Sequence, residues 1–278
     1  MRLRHVIATV LALSPLIGSA AAQQATSSLR GMAVENDALA WQSVGRLDAE
    51  AAGFCTATLI SPEFILTAAH CVYNTSTGRL IALSDFTFRA GLLNGRVAAE
   101  RAIAQVEPHP KYQPRGGSAQ QNIRHDVALL RLAEPIPSND LDPFVLHPRK
   151  VSSGPVSVVS YGRNRETLPS RQDVCQVIAT RHDIMLMDCD VTFGSSGAPV
   201  FSHINGRGQI VSVISGMGAM DGRRVTYGMT LPDIVAELKQ QMWANKAKPV
   251  ASIKRIQVGT GGAKSSGGGA KFVRAGGS

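Results

Sequence analysis

Between Trp41 and about Thr230 the apolar residues fall in short runs, alternating or continuous, that are broken every few positions by Gly, Pro, Asn and Asp. Alternation with a period of two places one face of an extended chain in a core and the other in water, so such runs read as strands. They lie at residues 42–47, 55–60, 64–67, 86–89, 102–106, 127–132, 155–161, 174–179, 184–187, 210–215 and 225–229. Even spacing with turn signals between them predicts an all-β barrel or sandwich architecture rather than alternating β and α units. The stretch 134–140, Glu-Pro-Ile-Pro-Ser-Asn-Asp, is rich in turn formers and marks a seam between two halves. One segment breaks the pattern. Ile234, Leu238 and Met242 recur every four residues behind Thr230, Pro232 and Asp233. Thr230 serves as cap, Pro232 fits the first turn and Asp233 complements the helix dipole, which predicts an amphipathic C-terminal helix packed on the second half.

At 278 residues the chain is long enough for one large core or two modest ones. Its first 22 residues carry Arg2 and Arg4, an apolar run over 6–17 and then small residues, the pattern of a signal peptide cleaved before Gln23. The run is shorter than the roughly 20 residues that cross a bilayer, and Pro15 interrupts it, so stable membrane insertion is not expected. Residues 23–40 then form an N-terminal or pro-segment, 41–137 and 138–245 the two halves, and 246–278 a flexible Gly-, Ser- and Lys-rich basic tail. The formal charge of +9 sits in the leader and the tail. Between Gln23 and Asn245 there are 20 basic and 20 acidic residues, which implies no basic groove for nucleic acid.

Export changes the meaning of the four cysteines. An oxidising compartment favours disulfides, and no Cys-x-x-Cys pair suggests a metal site. Three pairings are open. One pair in each half points to Cys55 with Cys71 and Cys175 with Cys189, each bridge worth roughly 3 kcal/mol in the chain-entropy account.

The segment Leu66-Thr67-Ala68-Ala69-His70-Cys71 closely resembles the motif around the catalytic histidine of the chymotrypsin/trypsin family. Phe54-Cys55-Thr56-Ala57-Thr58-Leu59-Ile60 is similar to the strand whose cysteine bridges to the one after that histidine. His125-Asp126-Val127-Ala128-Leu129-Leu130 resembles the stretch that carries the family's aspartate, and His109-Pro110-Lys111-Tyr112 the loop before it. His125 itself reads as a loop residue, not a second base. Gly194-Ser195-Ser196-Gly197-Ala198-Pro199 is similar to the nucleophile motif and departs from it at two positions. Carried over residue by residue, the resemblance implies a triad of His70, Asp126 and Ser196, with the backbone N–H groups of Gly194 and Ser196 as the oxyanion hole. It covers about Trp41 to Met242. It implies two six-stranded antiparallel β-barrels with a C-terminal helix and the site between the barrels.

Asp190 lies six residues before Ser196, where trypsin-like enzymes keep the acid of the primary specificity pocket, and Gly216 and Gly218 would line its walls. The implied activity is peptide-bond hydrolysis after Arg or Lys, with no cofactor, by a secreted or periplasmic monomer acting on protein or peptide substrates. A catalytically idle relative that serves as a binding module is the alternative. Ser195 and the second cysteine pair look more like a bacterial branch related to glutamyl endopeptidases, although the run 211–215 lacks the histidine of their pocket. In the family the residue before the nucleophile is an aspartate that pairs with a newly freed N-terminus. Ser195 has no charge for that pair, so activation by that route is not expected, although Arg30-Gly31 could still be a cleavage site.

Overall fold

A computed structural model describes residues 26–50, 52–203 and 206–245. The expected signal peptide, its cleavage point and the basic tail lie outside these residues. Among the described residues no helix is long and apolar enough to cross a membrane.

The first half closes into a barrel of β2 (Val44–Ala49), β3 (Gly53–Ser61), β4 (Phe64–Thr67), β5 (Phe86–Ala90), β6 (Ala99–Pro108) and β7 (Ala128–Leu132), joined in the order β2-β3-β4-β7-β6-β5. All of its pairings are antiparallel. In β5 the period-two pattern sends Phe86, Phe88 and Ala90 inward, while Thr87 and Arg89 face outward. Those phenylalanines meet Leu47, Leu59, Ile65 and Leu130 in the barrel core. Each such side chain contributes about 1.5–3 kcal/mol by leaving water.

The second half contains β8 (Gly154–Gly162), β9 (Arg165–Arg181), β10 (Ile184–Met187), β11 (Pro199–Ser202), β12 (Gln209–Met220) and β13 (Arg223–Met229). They run β9-β10-β13-β12-β11-β8, and β8 pairs back onto β9 to close a second barrel. The tight link from β9 to β10 uses His182 and Asp183, both at positive φ (49° and 65°), the mirror-image turn whose twist matches antiparallel strands. A short strand, β1 (Arg30–Gly31), adds to the outside of β9, with Arg30 opposite Arg171 and Gly31 opposite Ser170. Helix α1 (Glu35–Leu39) follows it, and α2 (Gln120–Arg124) sits in the connection before β7. Strands β1 and β11 and helices α1 and α2 were not expected from the pattern.

The terminal helix α3 spans Pro232–Ala244, and Val235, Leu238 and Met242 are its buried stripe. Three details of the expectation change, the first being that Val235 opens the buried stripe while the expected Ile234 is only partly buried. The residue preceding the helix is Leu231, while the Thr230 hydroxyl donates to Asp183 Oδ1 at 3.2 Å instead of capping. The stripe also does not pack on the second half alone. It joins a cluster containing Phe64, Leu66 and Leu129 of the first barrel together with Val159, Phe201 and Val213 of the second. Gln105 on β6 donates to the carbonyl of Met242 (3.1 Å), and Gln241 donates to Glu107 (2.9 Å). The chain therefore returns from the second barrel to lock onto the first, and one apolar layer runs through the seam.

Candidate active site

His70 stands in a single helical turn, Ala69–Val72, directly after β4. Cys71, in the same turn, is bonded to Cys55 on β3, so the backbone beside His70 is tied covalently to the neighbouring strand. The other bridge joins Cys175 and Cys189. Asp126 comes from the first-barrel connection that enters β7, and its side chain is only 6% exposed. It accepts the backbone N–H of His70 at 2.8 Å and the ring N–H at Nδ1 at 2.7 Å. A third donor completes the site from the other barrel: the Ser215 hydroxyl on β12 reaches Asp126 Oδ2 at 2.5 Å. With its proton held at Nδ1, a neutral His70 ring presents the lone pair of Nε2. Burial disfavours a charge on this ring, but the charge of Asp126 and its hydrogen bond outweigh that and raise the pKa above the usual histidine value.

The turn Gly194–Ser196 precedes β11, and its Gly194 and Ser196 line, together with His70, a cleft of about 810 Å³. Its two serines have opposite fates. Ser195 is fully buried, and its Oγ lies 3.2 Å from both Ser160 Oγ and the Tyr161 carbonyl while accepting from Thr192 N–H at 3.3 Å. Ser196 is partly exposed and lines the cleft together with His70. Among the described residues, the backbone N–H groups of Gly194 and Ser196 have no protein acceptor. Glycine is required at both ends of the turn. Gly194 has φ +93°, and a Cβ there would lie 2.4 Å from the Phe54 ring; Gly197 has φ +76°, and its Cβ would lie 2.1 Å from Thr67 Oγ1.

Thr56 of β3 ties this turn to the first barrel. Its N–H donates to the Ser196 carbonyl (2.8 Å), its hydroxyl to the Gly194 carbonyl (2.9 Å), and the same hydroxyl accepts Tyr161 N–H (3.0 Å). Ser215 and Thr56 were both missed from sequence. A serine closing an apolar run and a threonine inside a strand carry no signal of their partners, which lie 89 and 138 residues away.

The specificity residues need correction. Gly216 lines the cleft, but Asp190 and Gly218 do not. The Asp190 carboxylate is 55% exposed and pairs with Arg224 Nη1 at 3.3 Å, while its N–H donates to Gln172. A carboxylate that can stay in water beside a guanidinium avoids the cost of burial without a partner. The cleft lining includes the apolar Val191, Ile214 and Met217 and also the charged Arg163 and Glu166. His125 stacks on His109, with ring centroids 4.5 Å apart, and lines a separate cavity. Cys55, His70 and Cys71 present ligand-type atoms within 4.8 Å of one another, but both sulfurs are consumed in the disulfide and cannot hold an ion.

Residues 30–230 match the family model described as Trypsin. The chain is 35% identical to "Serine protease SP24D" of Anopheles gambiae over 39% of its own length and 37% of that protein. To human "Kallikrein-15" it is 34% identical over 54% of each chain. The aligned parts thus span about a third to a half of these curated relatives, which are animal rather than bacterial proteins. In structure it is similar to a Glu endopeptidase solved in complex with MPD, with a TM-score of 0.64 and 20% identity over 77% of this chain and 97% of that one. At such identity that likeness speaks for the fold alone. Two antiparallel barrels, a histidine–aspartate pair from the first, a glycine-flanked serine turn from the second and the family match over most of the length place the chain in the trypsin family.

Proposed function

We propose that this protein is a serine endopeptidase whose catalytic groups are His70, Asp126 and Ser196. The observation that carries the reading is the division of labour between the two serines. Ser195 is sequestered, which leaves Ser196 as the hydroxyl of the motif that lines the His70 cleft. In this mechanism Nε2 of His70 takes the Ser196 proton as Oγ attacks a peptide carbonyl. Gly194 and Ser196 N–H groups receive the developing oxyanion, a contribution of about 2.7–4 kcal/mol per donor. His70 then gives its proton to the leaving amine, and water, activated by the same nitrogen, releases the acyl group. Asp126 fixes the tautomer and stabilises the charged ring, while Ser215 and the His70 N–H fix Asp126.

The substrate is a protein or peptide. Asp190, the acid expected to select Arg or Lys, does not line the cleft, and the apolar Val191, Ile214 and Met217 in the lining support an uncharged apolar residue on the acyl side of the cleaved bond, although Glu166 lines the same cleft. Export from the cytoplasm follows from the leader sequence and accords with two disulfides.

A fluorophosphonate probe tests the assignment. It should modify Ser196 in the intact chain, fail on Ser196→Ala and still modify Ser195→Ala; a label on Ser195, or turnover retained in Ser196→Ala, refutes it. In a peptide library, apolar residues should dominate at the acyl position and Asp190→Ser should leave the preference unchanged. Selection of Arg or Lys, lost in that variant, would reverse this part of the reading.

A further inference from the structure

Beneath the Gly194–Ser196 turn lies a cation that the reaction does not use. Arg165, at the start of β9, turns back under the hairpin that joins β8 to β9. Its Nη1 donates to the Ser160 carbonyl at 2.5 Å, and its Nη2 donates to Ser160 Oγ and Ser195 Oγ, both at 3.0 Å. Space for it exists because Gly162 has no side chain: a Cβ there would lie 2.7 Å from Arg165 Nη2. Ser195 Oγ is thereby the centre of a buried cluster that also contains Thr192 N–H and the Tyr161 carbonyl. Tyr161 in turn hydrogen-bonds the Leu92 carbonyl of the first barrel through its phenol at 2.9 Å. The cluster is continuous from the first barrel, through Tyr161 and Ser195, to the turn.

We propose that Arg165 is a positioning residue: its guanidinium, spanning Ser160 and Ser195, holds the Gly194–Ser196 turn in the conformation that presents its two N–H groups to the cleft. This rests on the proposed peptidase mechanism. The planar fork suits the task, because it can satisfy a carbonyl and two hydroxyls at once from fixed directions, which an ammonium on a flexible stem cannot. Its hydrogen-bond partners are all uncharged. Burial lowers its pKa to about 10, and the charges of Asp190 and Glu166 offset only part of that. The guanidinium is only partly buried, and its fork spans the two serines. That span explains how the turn is organised without a charge at residue 195.

The test compares Arg165→Met and Arg165→Lys with the wild type, with rates expressed per titrated active site. Arg165→Met should lower kcat by about 100-fold or more with KM changed by less than about threefold, because the turn's donors act on the transition state and not on the bound peptide. Arg165→Lys should fall between the two. Affinity for a peptidyl boronate, which loads the oxyanion position, should drop in parallel, and added guanidinium ion should restore part of the activity of Arg165→Ala. Hydrogen exchange of residues 192–197 reads the turn without catalysis and should accelerate in Arg165→Met. Unchanged exchange with kcat preserved per active site overturns the proposal, as does a loss confined to melting temperature. If the wild type itself shows no Ser196-dependent hydrolysis, the peptidase reading fails, while the exchange result still decides whether Arg165 holds the turn.

Discussion

Asp126 is approached by three donors, two from His70 and one from Ser215, so the imidazole next to it is held in one tautomer and one orientation. The raised His70 pKa fixes two signs. For catalysis, kcat/KM should rise as the ring loses its proton, with an acid limb centred above the ordinary histidine value of about 6.5. For stability, the folded protein binds this proton more tightly than the unfolded chain, so the contribution is complete below about pH 6.5 and disappears as the pH rises through the folded value. Asp126→Asn removes the charge that lifts the pKa. Its acid limb should move to lower pH while kcat falls by about 10⁴-fold. A pH–rate profile of the two proteins checks this, and an unmoved limb would show that another group carries it.

At the scale of elements, β11 shows what the hydrophobic pattern conceals. It begins at Pro199, directly after the serine turn, and proline has no N–H for a ladder, so the stretch reads as a loop. In the fold its four residues are all buried between β8 and β12, and Gly197 just before it hydrogen-bonds the Ile214 carbonyl at 2.7 Å. Gly197→Ala would place a methyl group against Thr67 Oγ1 and the Thr56 carbonyl at a left-handed φ. We expect a loss of about 3 kcal/mol or more in chemical denaturation, with activity falling further than folded yield because the same shift moves Ser196. Near-wild-type stability would mean the turn has more room than its contacts show. The other strand runs of both barrels were legible because each is a local run of apolar residues, alternating as in Phe86–Ala90 or continuous as in Phe64–Thr67. The triad candidates were legible because each sits in a contiguous motif. What was not legible depends on distant partners: Asp190 pairs with Arg224 at the surface, Ser215 finds Asp126 across the seam, and α3 returns to the first barrel although its stripe names no receptor. A side chain's spacing from a motif fixes where its Cα lies along the strand and leaves its orientation to residues far away in sequence.

The described residues form two barrels joined through one apolar layer and by specific hydrogen bonds, and the segment before β2 is one of their structural parts. Ser27 N–H reaches the Val174 carbonyl at 2.8 Å, β1 extends the sheet at β9, and Met32, 1% exposed, enters the same core cluster as Phe144, Val213 and the stripe of α3. Cleavage at Arg30–Gly31 would therefore cut a paired strand, and we propose that the segment serves as a brace. None of its described hydrogen bonds goes to the Gly194–Ser196 turn, which is held by Thr56 on one side and by the Ser195 cluster on the other. These facts separate stability from turnover. A chain beginning at Val34 loses β1 and Met32 and should be destabilised by about 2–5 kcal/mol, the range for emptying a buried methionine site. A chain beginning at Gly31 keeps Met32 and should lose less. Measured below their melting transitions and per titrated active site, both should turn over a peptide substrate at the rate of the longer chain, and one extra residue ahead of Gly31 should change nothing. If activity instead requires a single defined start, a free N-terminus must be ordering the serine turn, and the separation between brace and catalytic turn would be wrong.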